Sequence, residues 1–144
     1  MPYFAEAILI DASAAIALTD KKDQFHVIAK KFFDNTSDIL WVTLNATAQE
    51  SYTRARYDLG FRKAIGLYDF LRGKPLYHIR FESDDEEEAS SLLKRYADHL
   101  ISFHDALCAA VMKRVGIYRA FTFDHHFYNF GFEVLPGTTR QRRS

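Results

Sequence analysis

Short apolar runs recur along the chain, and segments with helical spacing separate them. Each run is only a few residues long and is apolar at successive positions, which is typical of strands buried on both faces of a parallel sheet. The predicted strands are 7–11, 38–43, 76–81, 119–123 and 132–136.

Between these runs, apolar residues recur three and four positions apart, which predicts helices. The clearest stripe comprises Phe25, Ile28, Ala29, Phe32 and Phe33. The predicted helices are a short one after residue 11, followed by 24–33, 45–57, 62–71, 83–98 and 105–115.

Two of these helices carry sequence signals at their ends. The helix predicted at 83–98 opens with Ser83-x-x-Glu86, the pattern of a capping box. This pattern predicts that the acidic run 84–88 forms a solvated first turn, where the helix dipole favours negative charge. Gly116 follows the helix predicted at 105–115 and is expected to close it.

Strands that alternate with helices predict an α/β fold with a central, mostly parallel, twisted sheet of about five strands and helices on both faces. The 144 residues, of which 48% are hydrophobic, suit one compact core. Because no repeat or Pro/Gly/Ser-rich linker interrupts the chain, we predict a single domain over 1–144, with a flexible C-terminal tail at about 138–144.

The formal net charge is zero, with 19 basic and 19 acidic residues, so it argues neither for nor against a nucleic-acid partner. The charge is nevertheless segregated along the chain. Residues 54–74 carry six basic and two acidic side chains, a net charge of +4. A basic segment of this kind can follow phosphates even on a neutral protein.

Cysteine usage and hydropathy bear on the compartment. Cys108 is the one cysteine of the sequence, so it excludes an intrachain disulfide and fits a reducing environment. The N-terminus lacks the basic n-region of a signal peptide, and no apolar run approaches the roughly 18 residues of a membrane span. We therefore expect a cytoplasmic protein with no membrane partner.

Four acidic residues map to one edge of the predicted sheet. Asp11 and Asp124 end strands, Glu50 lies early in the helix after the second strand, and Asp105 opens the helix before the fourth. Because the carboxyl ends of parallel strands meet at one edge, we expect these side chains to converge there. Each also has an ordinary structural explanation. Strand-end acids often form turns, and the patterns Thr47-x-x-Glu50 and Ser102-x-x-Asp105 fit capping boxes.

The convergence of four carboxylates has an electrostatic consequence. Two carboxylates about 5 Å apart repel each other by roughly 3 kcal/mol at an effective dielectric constant near 20. Either their pKa values rise or a cation lies among them. Oxygen ligands without a thiolate favour a hard ion such as Mg²⁺ or Mn²⁺. Such an ion is commonly used to cut phosphodiester bonds.

Four segments of the chain together resemble a known family: "LIDASAAIAL" at 9–18, "TAQESY" at 47–52, "SFHDALCAAVMKRVGI" at 102–117 and "AFTFDHHFYNFGFEVLP" at 120–136. Their order and spacing are similar to those of PIN-domain ribonucleases, and among these the chain looks like a VapC-type toxin. The resemblance implies a PIN-like three-layer sandwich. It also implies that Asp11, Glu50, Asp105 and Asp124 bind the metal ion and act in catalysis, while Ser13 and Thr122 orient their carboxylates.

The resemblance further implies a function and partners. The expected activity is a Mg²⁺- or Mn²⁺-dependent endoribonuclease, the toxin of a toxin-antitoxin pair, with a small antitoxin that blocks the acidic site. A homodimer is expected, formed through the helical pair at about 45–72. Within that pair, Arg54, Arg56, Arg62 and Lys63 are candidates for steering RNA, although a solvated helix face explains each of them as well.

The histidines and the aromatic residues receive structural interpretations. Adjacent side chains are expected to diverge, and no zinc-ligand spacing is present, so His125 and His126 are predicted to form a surface turn beside the site. His104 is expected to face away from Asp105. Cys108 is expected to be a small core residue. The phenylalanines near the last strands are assigned to the core rather than to base stacking, namely Phe121, Phe123, Phe127 and Phe130.

Other classes of function stay open from the residues alone. Asp11-Ala-Ser13 is similar to the start of phosphatases that use a strand-end aspartate as nucleophile, but Ser13 stands where such enzymes have a second acid. A small-molecule phosphohydrolase is therefore a weaker alternative. A non-toxin PIN nuclease and a non-catalytic RNA-binding module in RNA processing are the others.

Overall fold

The computed structural model describes residues 4–137, so the tail predicted to be flexible at about 138–144 lies outside the described residues. The described part of the chain forms one five-stranded sheet in the order β3-β2-β1-β4-β5. Every neighbouring pair in this sheet is parallel, which confirms the predicted α/β architecture. The strands are β1 Ile8–Ile10, β2 Trp41–Leu44, β3 Tyr77–Ile79, β4 Arg119–Phe121 and β5 Glu133–Leu135.

The strands are shorter than the apolar runs that predicted them, because residues at the ends of the runs form turns and caps. Asp11, for example, ends the first run but serves as the N-cap of the helix that follows. The helices are α1 Ala12–Thr19, α2 His26–Asp34, α3 Asn45–Leu59, α4 Phe61–Arg72, α5 Ser83–Arg95, α6 Phe103–Val115 and α7 His126–Asn129. The short α7 was not predicted.

Two hydrophobic cores lie on opposite faces of the sheet, as expected for a three-layer sandwich. One face packs Ile8, Ile10 and Phe121 against helices α1 to α4. The other packs Leu9 and Val42 against α5, α6 and α7. The assignment of the late phenylalanines to the core is confirmed, since three are buried and the fourth packs against the core at half burial, namely Phe121, Phe123, Phe127 and Phe130. Cys108 is likewise buried in the core.

The predicted capping box of α5 is wrong by one residue. The residues that close the box are Glu82 and Asp85, whose side chains accept hydrogen bonds from each other's backbone N–H. Asp85 is buried rather than solvated, because Arg114 on α6 donates two hydrogen bonds of 2.9 Å to its carboxylate. Only part of the acidic run is therefore a solvated helix face. Asp85 instead links α5 to α6 through its hydrogen bonds with Arg114.

Gly116 closes α6 as predicted, in the left-handed conformation with φ of 82°. Gly60 has φ of 90° and joins α3 to α4, which pack against each other along their length. A side chain at either position would be strained, because L-residues rarely adopt positive φ. Among residues 4–137, none of the helices combines the length and the apolar character that crossing a membrane would need.

Candidate metal centre

Asp11 lies at the carboxyl end of β1, where hydrogen bonds hold both of its oxygens. Its Oδ1 accepts a hydrogen bond from the Ala14 backbone N at 3.0 Å and another from Ser13 Oγ at 2.8 Å. Its Oδ2 accepts a hydrogen bond from Thr122 Oγ1 at 2.7 Å. The carboxylate therefore caps α1 and is held in one orientation. Asp11 thus has the structural role expected of an acid at the end of a strand, and it also lies at the edge of the sheet where the acids were predicted to converge.

Ser13 and Thr122 connect the ends of β1 and β4. Their hydroxyl oxygens lie 3.3 Å apart. Ser13 Oγ accepts a hydrogen bond from the Phe123 backbone N at 3.0 Å, and Thr122 Oγ1 accepts one from the Asp124 backbone N at 2.9 Å. The two hydroxyls thus fix the backbone that leads into Asp124 as well as the carboxylate of Asp11.

Three of the four predicted acids line one pocket. Asp11, Asp105 and Asp124 come from β1, α6 and the turn after β4, and the pocket they share has a volume of about 300 Å³. Ser102 is the N-cap of α6, and its Oγ accepts a hydrogen bond from the Asp105 backbone N at 3.0 Å. This confirms the serine half of the predicted capping box. The remaining lining residues are Ser13, Arg54, Leu100, Phe123, His125 and His126.

Burial and mutual repulsion disfavour the ionised forms of Asp11 and Asp105 in this pocket. Burial raises the pKa of Asp11, the charge of Asp105 raises it further, and hydrogen bonds from Thr122, Ala14 and Ser13 act in the opposite direction. Burial also raises the pKa of Asp105, opposed by His104 and reinforced by Asp124. A bound cation would remove this penalty, because it favours the ionised form of every carboxylate around it. A set of carboxylate oxygens around one pocket fits a hard divalent ion.

Glu50 lies in a neighbouring pocket. It is half-buried on α3 and lines a cavity of about 290 Å³ together with Phe103 and His104. The capping-box interpretation of Glu50 is wrong, because α3 begins at Asn45 and Leu44 is its N-cap. The Thr47 side chain therefore lies inside the first turn and bonds to another helix. Glu50 lines this pocket rather than that of the three aspartates, and the two pockets adjoin at His104, which contacts Asp105.

His104 joins α3 to α6, and the prediction that it faces away from Asp105 is wrong. Its Nδ1 lies 3.5 Å from Asp105 Oδ1, while its Nε2 lies 2.8 Å from Thr47 Oγ1 and 3.5 Å from Cys108 Sγ. Burial acts to lower the pKa of His104, but the Cys108 sulfur and the Asp105 carboxylate outweigh it and raise the pKa above its usual value. The imidazole reaches both neighbours because its two nitrogens point in opposite directions.

Replacement of the hydroxyl in this contact should destabilise the protein. In Thr47→Val, the buried Nε2 of His104 loses its 2.8 Å partner, while the shape of the side chain is kept. We expect a loss of about 1–3 kcal/mol in the free energy of unfolding, measured by urea denaturation. The matched change Thr53→Val, at an exposed position of the same helix, should stay within about 0.5 kcal/mol of the parent. Equal effects in the two variants would show that the hydrogen bond contributes nothing.

The adjacent histidines were predicted to diverge on a surface turn beside the site. Both do line the pocket of the aspartates, and His125 is a half-buried turn residue, but the predicted divergence and the surface position of His126 are wrong. The ring centroids of His125 and His126 are 4.3 Å apart, and His126 is buried, with Nε2 hydrogen-bonded to the Leu100 carbonyl at 2.9 Å. One ligand atom each from Asp124, His125 and His126 lies within 4.8 Å of the others. The physical reason is local: Asp124 Oδ1 accepts a hydrogen bond from the His126 backbone N at 3.0 Å, which keeps the chain turned tightly at the start of α7. The position of both residues directly after Asp124 was the sequence signal for this proximity.

The four basic residues predicted to steer RNA do not share one position. Arg54 lines the pocket of the three aspartates and, among residues 4–137, forms no ion pair. Arg56 and Arg62 are exposed elsewhere on the α3–α4 pair. Lys63 Nζ lies 4.0 Å from Asp20 Oδ1, so an acid already partly compensates its charge. Arg54 is thus the residue of this set that can contact a group in the pocket.

A PIN-domain family model matches residues 8–133, and the chain therefore belongs to the PIN-domain family. Over 130 residues the chain is 31% identical to VapC20 of Mycobacterium tuberculosis, a 23S rRNA-specific endonuclease, and the alignment covers 90% of this chain and 98% of that protein. The resemblance to VapC-type toxins is confirmed by this relative and by its structure. The family and the relative together support a nuclease.

Solved structures agree with the fold. The crystal structure of VapC20, a sarcin-ricin loop cleaving toxin, superposes with a TM-score of 0.81 at 28% identity and covers 88% of this chain and 96% of that chain. DNA-bound VapBC from Salmonella typhimurium gives a TM-score of 0.64 at 13% identity, with 89% and 96% covered. At that low identity, the second likeness shows the fold alone.

Proposed function

We propose that this protein is a Mg²⁺- or Mn²⁺-dependent endoribonuclease that hydrolyses phosphodiester bonds of RNA. The observation that carries the proposal is the shared pocket of Asp11, Asp105 and Asp124. Burial and the neighbouring carboxylates raise the pKa of Asp11 and of Asp105, and a cation would favour their ionised forms. Glu50, from the neighbouring pocket, is proposed as a fourth acid of the site. The bound ion would stabilise negative charge on the phosphate and make an attacking water more acidic.

The residues of the chain have separate roles in this proposal. Asp11, Asp105 and Asp124 hold the ion, and Ser13 and Thr122 keep the Asp11 carboxylate in its orientation through hydrogen bonds of 2.8 and 2.7 Å. Preorganised ligands of this kind lower the free-energy cost of assembling a metal site.

Basic side chains supply the opposite charge in this proposal. Arg54 extends into the same pocket without an ion pair among the described residues, so its guanidinium can bind the phosphate next to the scissile bond. Arg56, Arg62 and Lys63 add positive potential farther along the α3–α4 pair and steer the RNA toward the pocket.

The relatives suggest the biological setting. Because VapC20 is a 23S rRNA-specific endonuclease, ribosomal RNA is the first substrate to test. We further propose that the protein is the toxin of a toxin-antitoxin pair, that a small antitoxin covers the acidic pocket, and that the toxin works as a homodimer in the cytoplasm. A basic side chain of the antitoxin would suit a pocket with this charge.

The activity is tested by incubating the parent protein with ribosomal RNA and Mg²⁺ or Mn²⁺ and analysing the products on a denaturing gel. We expect discrete fragments with either ion and none in excess EDTA. Restoration of cleavage by adding the ion back would exclude contamination with a metal-independent ribonuclease. Cleavage that persists in EDTA, or no cleavage of any RNA with either ion, would contradict the proposal.

A further inference from the structure

A second pocket, with basic side chains in its lining, lies beside β3, apart from the pocket of the three aspartates. It has a volume of about 340 Å³ and is lined by Asn45, Arg72, His78 and Arg80. None of these four side chains is acidic, and two of them carry a permanent positive charge. This cationic pocket therefore has the opposite charge to the metal centre.

The two arginines of the cationic pocket keep their capacity to bind an anion. Among residues 4–137 neither guanidinium forms an ion pair; that of Arg72 lies 5.8 Å from the centroid of the Tyr68 ring. Arg114 is different, because Asp85 accepts two of its hydrogen bonds. A guanidinium presents a planar fork of N–H donors that matches a phosphate group.

The two remaining side chains are held by hydrogen bonds to the backbone. Asn45 Oδ1 accepts a hydrogen bond from the Phe81 backbone N at 3.0 Å, which leaves the amide nitrogen of Asn45 as a donor. His78 Nε2 lies 2.9 Å from the Leu71 carbonyl, which can only accept, so this nitrogen carries a hydrogen. The hydrogen on His78 Nε2 is thus already donated to Leu71. The donors that the pocket offers to a ligand are therefore the Asn45 amide nitrogen and the two guanidinium groups, and such donors suit a phosphate.

The cationic pocket lies at the same edge of the sheet as the metal centre. Arg80 directly follows β3 and Asn45 directly follows β2, as Asp11 directly follows β1. Helix α3 connects the two pockets, since it begins at Asn45 and carries Arg54 into the pocket of the aspartates. With a rise of 1.5 Å per residue, these two positions are about 14 Å apart along the helix axis. A short stretch of single-stranded RNA can span such a distance.

We propose that the cationic pocket of Asn45, Arg72, His78 and Arg80 binds a backbone phosphate of the RNA whose scissile bond lies at the metal centre. This inference rests on the proposed ribonuclease function. Its physical reason is that the carboxylates of the metal centre repel phosphates, so the attraction that holds the strand must come from cationic groups outside that centre. Phosphates elsewhere on the strand can be bound tightly without touching the reacting bond.

The test compares two double variants that remove equal charge. Arg72→Ala with Arg80→Ala removes both cations of the pocket, and Lys94→Ala with Arg95→Ala removes two cations at the end of α5 as the control. Binding of a fluorescent single-stranded RNA is measured by anisotropy in EDTA over a range of salt concentrations. We expect the first variant to bind about tenfold more weakly and to flatten the slope of log K against log salt by about 0.7 for each phosphate that the protein no longer neutralises. The control should bind like the parent.

Equal affinity and equal salt slope in the two double variants would overturn the proposal. The proposal would also be overturned if the Arg72→Ala, Arg80→Ala variant bound RNA like the parent but bound an acidic peptide more weakly than the parent. The pocket would then serve a protein partner. The melting temperature of both variants should match the parent, since the substituted side chains are exposed. Parent cleavage of RNA with Mn²⁺ is measured in parallel. If the parent did not cleave RNA but its RNA binding still depended on Arg72 and Arg80, only the proposed function would be refuted. If the first variant cleaved RNA normally with an unchanged KM, only the RNA subsite would be refuted.

Discussion

Asp105→Asn should abolish RNA cleavage and leave the fold intact or more stable. The substitution keeps the size of the side chain and the cap of α6, because the Ser102 hydroxyl bonds to the backbone N of residue 105. It removes one of three carboxylates around the shared pocket and so weakens the hold on the ion. A metal ion contributes several kcal/mol to the transition state, and each 1.36 kcal/mol is a factor of ten in rate. We therefore expect a loss of at least about a thousandfold, measured with labelled RNA and Mn²⁺.

The unfolding of Asp105→Asn separates a chemical effect from a structural one. Its melting temperature should equal or exceed that of the parent, because burial and the neighbouring Asp124 disfavour the ionised form of Asp105. Asp58→Asn, at an exposed position of α3, serves as the control and should cleave RNA like the parent. An Asp105→Asn protein that cuts RNA at the parental rate would contradict the assignment of the site.

Phe121→Ala should strongly destabilise the folded protein. Phe121 is fully buried in β4, and its ring centroid lies 5.1 Å from Phe32, 5.5 Å from Trp41 and 6.1 Å from Phe123. Its truncation leaves a cavity among aromatic rings that cannot close without moving the sheet. Phe→Ala changes in protein cores cost about 3–5 kcal/mol. At this chain length that corresponds to a fall of roughly 10 °C in melting temperature, measured by circular dichroism.

Tyr118→Ala provides the matched control, because this large aromatic residue directly precedes β4 and is 61% exposed. Its removal should change the free energy of unfolding by about 0.5 kcal/mol or less. If Phe121→Ala and Tyr118→Ala lowered stability by similar amounts, the aromatic cluster on this face of the sheet would not be a central part of the core.

The sheet was predictable from the sequence because apolar runs alternate with helical stripes over the whole chain. The acids at the carboxyl ends of the strands were predictable for the same reason, since parallel strands bring Asp11 and Asp124 to one edge. Element boundaries were less predictable. The capping box of α5 lies one residue earlier than predicted, at Glu82 and Asp85, and Asp85 also forms an ion pair with Arg114 of another helix. A pattern along one segment carries no information about such a partner.

The detailed contacts of the site were not predictable for a related reason. Successive residues of a helix point in different directions, which predicted that His104 faces away from Asp105. The two ring nitrogens nevertheless reach Asp105 and Thr47, and Thr47 lies 57 positions earlier in the chain. The side chains of His125 and His126 converge at the start of α7, a helix of four residues that is too short to show an apolar period in the sequence. These arrangements depend on tertiary packing, whereas the edge that collects the acids depends only on topology.

The central claim is that Asp11 and its neighbours bind a divalent cation, and it is tested most directly by thermal unfolding with and without Mn²⁺, for the parent and for Asp11→Asn. An ion at ten times its Kd adds about 1.4 kcal/mol of stability, which is a few degrees at this chain length. Mn²⁺ is predicted to raise the melting temperature of the parent by this amount and to leave Asp11→Asn unchanged. No rise in the parent, or an equal rise in Asp11→Asn, would contradict the claim.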